Sequence, residues 1–149
     1  LSMVVLWLAE AEVELGNLEK ARELVNMIRT RAANADDFVP KAIQGDSRQS
    51  YSLGDGPAAN YVIGTYDDAW TDQATARKAV RFETRLETAM EGHRFFDLQR
   101  WGIAAQTLNA YIASESQQRT YLSGKSFVAG KNEFFPIIMI FSLISPGKI

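Results

Sequence analysis

Four acidic side chains near the middle of the chain are the first candidates for chemistry. Glu83, Glu87 and Glu91 recur every four residues, and Asp97 follows six residues later. Cleavage of a glycosidic bond requires two carboxylates about 5–10 Å apart, placed on either side of the scissile bond. Residues four apart lie on one face of a single helix and therefore do not face each other across a substrate. The spacing favours ion pairing over acid–base catalysis.

Arginines surround these acids in the sequence. Arg81, Arg85, Arg94 and Arg100 lie close enough along the chain to neutralise the four carboxylates. Partly buried ion pairs are sensitive to the loss of either partner, so they can fix how two helices meet. We therefore predict a structural network of ion pairs in this stretch.

The only histidine, His93, is a candidate general base. No cysteine is present, and no Gly-x-Ser-x-Gly motif accompanies the histidine. A multi-histidine metal site is excluded because the chain has one histidine. We predict that its ring packs or hydrogen-bonds at a helix junction, and that the protein is not an enzyme and has no cofactor or metal.

Aromatic side chains form a second set of candidates because their faces can stack on the apolar faces of sugar rings. Phe95, Phe96 and Trp101 recur at helical spacing and are predicted to pack in a core. The better candidates for ligand contact are four aromatic residues that lie in a segment rich in turn residues. They are Tyr51, Tyr61, Tyr66 and Trp70. Anchoring of their segment to the helices is the alternative, and it is the one that the pattern favours.

Length and composition describe an ordinary globular protein with one core. The chain has 149 residues, of which 46% are hydrophobic and 23% charged. A net charge of −2 gives no electrostatic reason to expect nucleic acid or anionic lipid as a partner.

The N-terminal third predicts a helical hairpin. Apolar residues recur at steps of three and four over the first fifteen residues, which predicts an amphipathic first helix. These residues are Leu1, Val4, Leu8, Ala11 and Leu15. Gly16-Asn17 ends this helix, and a second apolar stripe runs from Leu18 to about Ala33. Helices joined by so short a turn lie antiparallel. The stretch from Ala11 to Ala21 resembles a tetratricopeptide hairpin, with the small residues Ala9 and Ala21 allowing close approach.

The remaining two thirds predict helices between long irregular segments. Residues 34–70 are rich in turn residues and are predicted to form an irregular loop. Thr71 or Asp72 caps a third helix that runs to Met90, and a fourth helix follows the Gly92 corner and ends at Trp101. A fifth helix runs from Ile103 to about Ser116. Residues 117–149 form an extended tail, whose apolar run Ile137–Ile144 is too short to span a bilayer. The predicted fold is all-α, mainly helical.

The stretch from Arg81 to Gly102, RFETRLETAMEGHRFFDLQRWG, resembles the C-terminal hallmark of the SusD/RagB family. The matching residues are Glu83, Arg85, Glu87, Ala89, Glu91, Gly92, His93, Arg94, Phe95, Phe96, Asp97, Leu98, Arg100, Trp101 and Gly102. The tail from Asn132 to Ile138 is similar to the closing segment of the same family.

This resemblance implies non-catalytic capture of oligosaccharide at the cell surface. The protein would be an outer-membrane lipoprotein and the partner of a TonB-dependent transporter, with no nucleic acid involved. Family members are several times longer and carry an export signal and a lipidated cysteine, which implies that residues 1–149 are a single C-terminal domain of a longer protein. Glycan contacts in the family come largely from upstream regions. Two alternatives stay open. One is a tetratricopeptide-type module that binds peptides or proteins and no sugar, and the other is a hydrolase, which would need two opposed carboxylates in a cleft.

Overall fold

A computed structural model describes residues 1–46 and 50–134, which form two compact units. The first unit is Leu1–Ala89, and the second begins at Met90. The predicted apolar run Ile137–Ile144 and most of the predicted closing motif lie outside the described residues. The prediction of a single domain over residues 1–149 stays a prediction.

The mainly helical fold predicted from the sequence is confirmed. The five helices of the described residues are α1 (Ser2–Glu14), α2 (Leu18–Ala32), α3 (Gln73–Glu87), α4 (Arg94–Arg100) and α5 (Ala104–Glu115). Short 3-10 turns lie at Ala35–Asp37 and Thr120–Leu122. Within the described ranges, none of the helices combines the length and apolar character needed to cross a membrane.

The core of the first unit lies between α1, α2 and α3. Gly16 adopts φ +81°, a left-handed conformation that ends α1 and turns the chain directly into α2. Ala9 and Ala21 are fully buried, as the close approach predicted for the hairpin requires. The inner face of α2 follows the predicted stripe through Leu24 and Ile28, and α3 closes the core with its own small apolar residues.

The sequence pattern predicts the wrong face of α1 as the buried one. Leu8 and Leu15, which belong to the predicted stripe, are exposed, whereas Leu6, Ala9 and Val13 are buried. Apolar residues occur on both sides of this helix, so periodicity alone does not identify the side that packs. The stripe at steps of three and four is therefore a second, outward apolar face.

Helix α3 ends at Glu87 and not at the predicted Met90, and it too carries apolar side chains on its outer side. Phe82 and Leu86 are half exposed, whereas Glu83 and Thr84 are buried. The Thr84 hydroxyl donates to the Val80 carbonyl oxygen at 2.9 Å, which satisfies a polar group that would otherwise be costly to bury. Polar residues with internal partners therefore form part of the buried face.

The segment predicted to be an irregular loop contains a two-stranded antiparallel sheet. Strand β1 (Pro40–Gln44) pairs with β2 (Tyr51–Pro57), with Ala42 opposite Leu53 and Gln44 opposite Tyr51. Nearly all side chains of both strands are exposed. Because neither face of the hairpin is buried, the sequence lacks the apolar–polar alternation by which a strand is recognised.

Asp72 caps α3, as predicted, and its carboxylate accepts the Thr75 amide at 2.7 Å. Hydrogen bonds from the Thr75 side chain and amide hold the pKa of Asp72 below its ordinary value. The stabilisation is therefore present above the unfolded pKa near 4 and is lost as the pH falls through the lower folded pKa.

Replacing this cap, in the variant Asp72→Ala, is expected to lower the melting temperature at pH 7. The difference from the parent protein should disappear near about pH 2, where the parent carboxyl is protonated as well. Thermal unfolding followed by circular dichroism at the two pH values measures both effects, with Asp68→Ala as the control. Equal melting temperatures of parent and Asp72→Ala at pH 7 would contradict the capping role.

The second unit is built around the α4–α5 corner. Gly92 adopts φ +80° before α4, which agrees with the predicted glycine corner. Leu98 and Ala104 are buried, and the rings of Phe95 and Phe127 lie edge to face at 6.2 Å. Phe96 is exposed, which contradicts its predicted place in a core, because α4 turns only one narrow face inward.

Candidate functional site

Three polar residues on one face of α2 hold the segment that carries two of the predicted ligand aromatics. Arg22, Asn26 and Arg29 recur at steps of four and three, which places them in line along the helix. Asn26 binds the Tyr66 backbone on both sides, accepting its amide at 2.8 Å and donating to its carbonyl at 2.9 Å. Arg22 also donates to the Tyr66 carbonyl, and Arg29 donates to the Gly64 carbonyl. We call these three residues the α2 ridge.

The segment held by the α2 ridge lines a groove at the start of α3. The groove has a volume of about 490 Å³ and is lined by Thr65, Tyr66, Asp67, Asp68, Ala69, Trp70, Thr71, Asp72, Thr75 and Ala79. Two aromatic rings meet in its wall, since Tyr66 and Trp70 lie edge to face with their centroids 5.4 Å apart. Trp70 is mostly buried and Tyr66 partly so, which fixes both rings against the core.

Tyr66 keeps its hydroxyl proton at neutral pH. Burial raises the pKa of the Tyr66 hydroxyl, while the nearby Arg29 charge acts in the opposite direction without cancelling the effect. The Arg29 guanidinium lies 5.1 Å from the centroid of the Tyr66 ring, a cation–π contact that adds to the backbone anchoring. The side chain is therefore a neutral donor and acceptor with a fixed ring.

Carboxylates and hydroxyls form the polar part of the groove. The Thr65 hydroxyl donates to the Asp67 carboxylate at 2.6 Å, and Asp72 is engaged in capping α3. Asp68, which lies between Asp67 and Asp72 in the sequence, also lines the groove and is exposed. Carboxylate oxygens accept hydrogen bonds, and hydroxyls both donate and accept them. The groove thus combines aromatic surface with acceptors suited to the hydroxyls of a polyol.

The other two predicted ligand aromatics lie elsewhere in the first unit. Tyr61 stacks on Phe38 with a centroid distance of 4.4 Å and an interplanar angle of 22°. Tyr51 lies on β2, with 64% of its surface exposed. The structure therefore brings Tyr66 and Trp70 together but does not gather all four residues into one site.

The predicted ion pairs of Glu83 and Glu87 exist, but their partners differ from the arginines proposed from sequence proximity. Glu83 binds Arg29 at 2.8 Å and Glu87 binds Arg31 at 2.6 Å, across 54 and 56 residues of sequence. Burial opposes ionisation of Glu87, yet hydrogen bonds from Arg31 and Ser2 outweigh it and lower the pKa of this carboxyl. Both pairs join α3 to α2. Arg85, also on α3, is exposed.

The rest of the motif predicted to be structural lies in the second unit. Asp97 pairs with Arg100 at 3.1 Å within α4, which agrees with a predicted partner. Glu91 lies 3.9 Å from the ring of His93, next to Gly92. The guanidinium groups of Arg94 and Arg100 lie 5.8 and 5.2 Å from the Trp101 ring centroid. These contacts connect residues that are near one another in the sequence.

Sequence reasoning missed the α2 ridge, whose residues hold the aromatic segment in place. A line of long polar side chains beside the apolar stripe of α2 was the available signal. Their partners are backbone carbonyls about 40 residues away, and carbonyls have no sequence signature. In the part of the chain that the structure describes, no group of three or more Asp, Glu or His side chains is arranged to hold a metal ion.

Comparison with known proteins gives one family. A family model described as the SusD family matches residues 1–137. No curated protein matches the chain.

Proposed function

The chain belongs to the SusD family, and from this we propose that it takes part in non-catalytic binding of oligosaccharide at the outer-membrane surface. Proteins of this family are generally associated with glycan or nutrient binding and are generally not catalytic. They are also generally lipoproteins of the outer membrane. In our proposal the full-length protein is lipid-anchored at the cell surface and is the partner of a TonB-dependent transporter.

The groove between Thr65 and Ala79 is the observation that connects this function to residues of the chain itself. Its volume of about 490 Å³ lies within the range of about 300–1,000 Å³ that small-ligand sites occupy. Sugar binding needs an apolar surface for the ring faces and hydrogen-bonding groups for the hydroxyls. Tyr66, which is only partly buried, supplies the first with Trp70 packed edge to face against it, while Asp68 and its polar neighbours supply the second.

Rigid placement of the aromatic segment supports the same proposal. A binding loop that is ordered beforehand does not lose conformational entropy when the ligand arrives. The α2 ridge provides this order by binding the backbone at Gly64 and Tyr66. The segment is therefore anchored through its backbone, which leaves polar side chains such as Asp68 directed to the groove and solvent.

Removing the Asp68 charge is expected to weaken oligosaccharide binding at least about tenfold, because a hydrogen bond to a charged group contributes about 1.5–3 kcal/mol. The variant is Asp68→Asn, and the measurement is calorimetric titration with a panel of neutral oligosaccharides. Asp55→Asn is the matched control, since Asp55 is an exposed aspartate of β2 outside the groove. Equal affinities of Asp68→Asn and the parent chain would contradict binding in the groove.

Tyr51 and Tyr61 remain proposed sugar contacts outside the groove. The variant Tyr51→Ala separates the two locations, because Tyr51 is exposed and its loss leaves the core intact. Loss of binding in Tyr51→Ala, with Asp68→Asn unaffected, would move the proposed site from the groove to the hairpin.

A further inference from the structure

The groove at the start of α3 is negatively charged. Three of its ten lining residues are aspartates, Asp67, Asp68 and Asp72, and all three are exposed. Among the described residues that line it, none is a lysine, an arginine or a histidine. Aspartates are ionised at neutral pH. The groove therefore presents three negative charges to any molecule that enters it.

The arginines that bind this segment do not offset these charges. Arg22 and Arg29 donate to its backbone carbonyls, and each also pairs with a glutamate. The Arg22 guanidinium binds Glu19 with two hydrogen bonds, at 3.0 and 2.5 Å. That of Arg29 binds Glu83 at 2.8 Å. The two positive and two negative charges cancel, which leaves the charge of the three aspartates uncompensated.

The positive end of the α3 dipole also lies beside the groove, but it already has an anion. Asp72 caps the helix and accepts the Thr75 amide at 2.7 Å. The end of a helix dipole is equivalent to about half an elementary charge, which is less than the charge of the cap itself. A second anion at this end therefore gains less from the dipole than it loses to the cap.

The groove is small enough for all three aspartates to act on one ligand. A sphere of its volume, about 490 Å³, is about 10 Å across, which is close to the Debye length at about 0.1 M salt. A charge placed anywhere in the groove is therefore within reach of every aspartate. Like charges at such distances repel, whereas an uncharged hydroxyl finds hydrogen-bond acceptors in the same carboxylates.

We propose that the groove selects oligosaccharides by charge, binding neutral sugars and rejecting those that carry carboxylate or sulfate groups. The inference rests on the proposed function, because it concerns the ligand of the same groove. A neutral sugar uses the Tyr66 ring and the acceptors of the aspartates without penalty. A uronic acid of the same size brings a carboxylate that meets three others, with no cation among the described lining residues. The substrate class is therefore a neutral glycan.

Calorimetric titration of the chain with matched pairs of tetrasaccharides tests the proposal. The probes are maltotetraose, cellotetraose and mannotetraose, each beside its derivative in which C6 is oxidised to a carboxylate. At about 20 mM salt, where the Debye length is about 20 Å, the uronate should bind at least about tenfold more weakly than its neutral counterpart. The difference should shrink at about 500 mM salt, because salt screens charge but does not alter fit.

A double variant tests whether the groove is responsible for the selection. Asp67→Asn/Asp68→Asn removes two of the three charges and nearly keeps the shape, so the ratio of neutral to uronate affinity should fall at least about fourfold. The matched control is Asp46→Asn/Asp55→Asn, which changes the net charge of the chain equally at two exposed residues outside the groove. Its ratio should equal that of the parent chain.

The possible outcomes separate this inference from the proposed function. Equal affinities within the pairs, tighter binding of the uronates, or a difference that salt does not reduce would overturn selection by charge and leave sugar binding in place. An unchanged ratio in Asp67→Asn/Asp68→Asn would do the same. Failure of every sugar to bind would overturn the proposed function, and the inference with it.

Discussion

Replacing Arg29 with methionine is expected to lower the free energy of unfolding by about 3–5 kcal/mol. Glu83, its partner, is only 5% exposed, so the variant Arg29→Met leaves a carboxylate in the core of the first unit without its cation. The cost comes mainly from this unpaired charge. Urea denaturation followed by circular dichroism measures it.

Arg31→Met is the matched control for this prediction. Arg31 also pairs with a glutamate of α3, but its side chain is 57% exposed and solvent screens the pair. Exposed pairs contribute about 0–1 kcal/mol, so Arg31→Met should have a small effect. Equal losses in the two variants would contradict the distinction between a buried and an exposed pair.

A double variant separates the pair from the other contacts of Arg29. Arg29 also binds the Gly64 carbonyl and lies over the Tyr66 ring, and both contacts are lost with the guanidinium. Adding Glu83→Met removes the stranded charge and should recover at least about 2 kcal/mol of the loss. Failure to recover any stability would mean that Arg29 acts through the aromatic segment and not through Glu83.

Truncating Leu6 is expected to destabilise the first unit by about 2–5 kcal/mol, because Leu6→Ala opens a cavity in the core. Leu6 is 1% exposed and packs in the cluster between α1, α2 and α3. Leu8→Ala, only two residues later, should change stability by less than about 0.5 kcal/mol. Urea denaturation followed by circular dichroism measures both variants.

The comparison of Leu6 with Leu8 tests which face of α1 packs inward. A larger loss of stability in Leu8→Ala than in Leu6→Ala would mean that the face expected from the sequence pattern, and not the Leu6 face, packs inward.

Several helix boundaries in this chain are predictable because short-range chemistry determines them, although α3 ends at Glu87 and not at the predicted Met90. Gly16 and Gly92 adopt conformations that glycine tolerates best, and Asp72 caps α3 through a hydrogen bond three residues away. The family resemblance was likewise readable, since it depends on a contiguous run of residue types. Each of these features lies within a few residues of sequence.

Which face of a helix packs, and which ions pair, depends on residues far apart in the chain. Glu83 finds Arg29 rather than a neighbouring arginine because α2 and α3 lie side by side in the fold. The exposed hairpin β1–β2 has no buried face, so its sequence has no apolar–polar alternation that would predict strands. The aromatic segment of the groove is held by the α2 ridge through backbone carbonyls, which no sequence motif encodes.

Two-dimensional NMR of the ¹⁵N-labelled chain during titration with a neutral oligosaccharide tests the central claim most directly. We expect saturable shifts of amide signals concentrated at residues 65–75, together with unchanged signals of the sugar after prolonged incubation. Shifts confined to other parts of the chain, an absence of saturable shifts, or the growth of new reducing-end sugar signals would contradict non-catalytic binding in the groove.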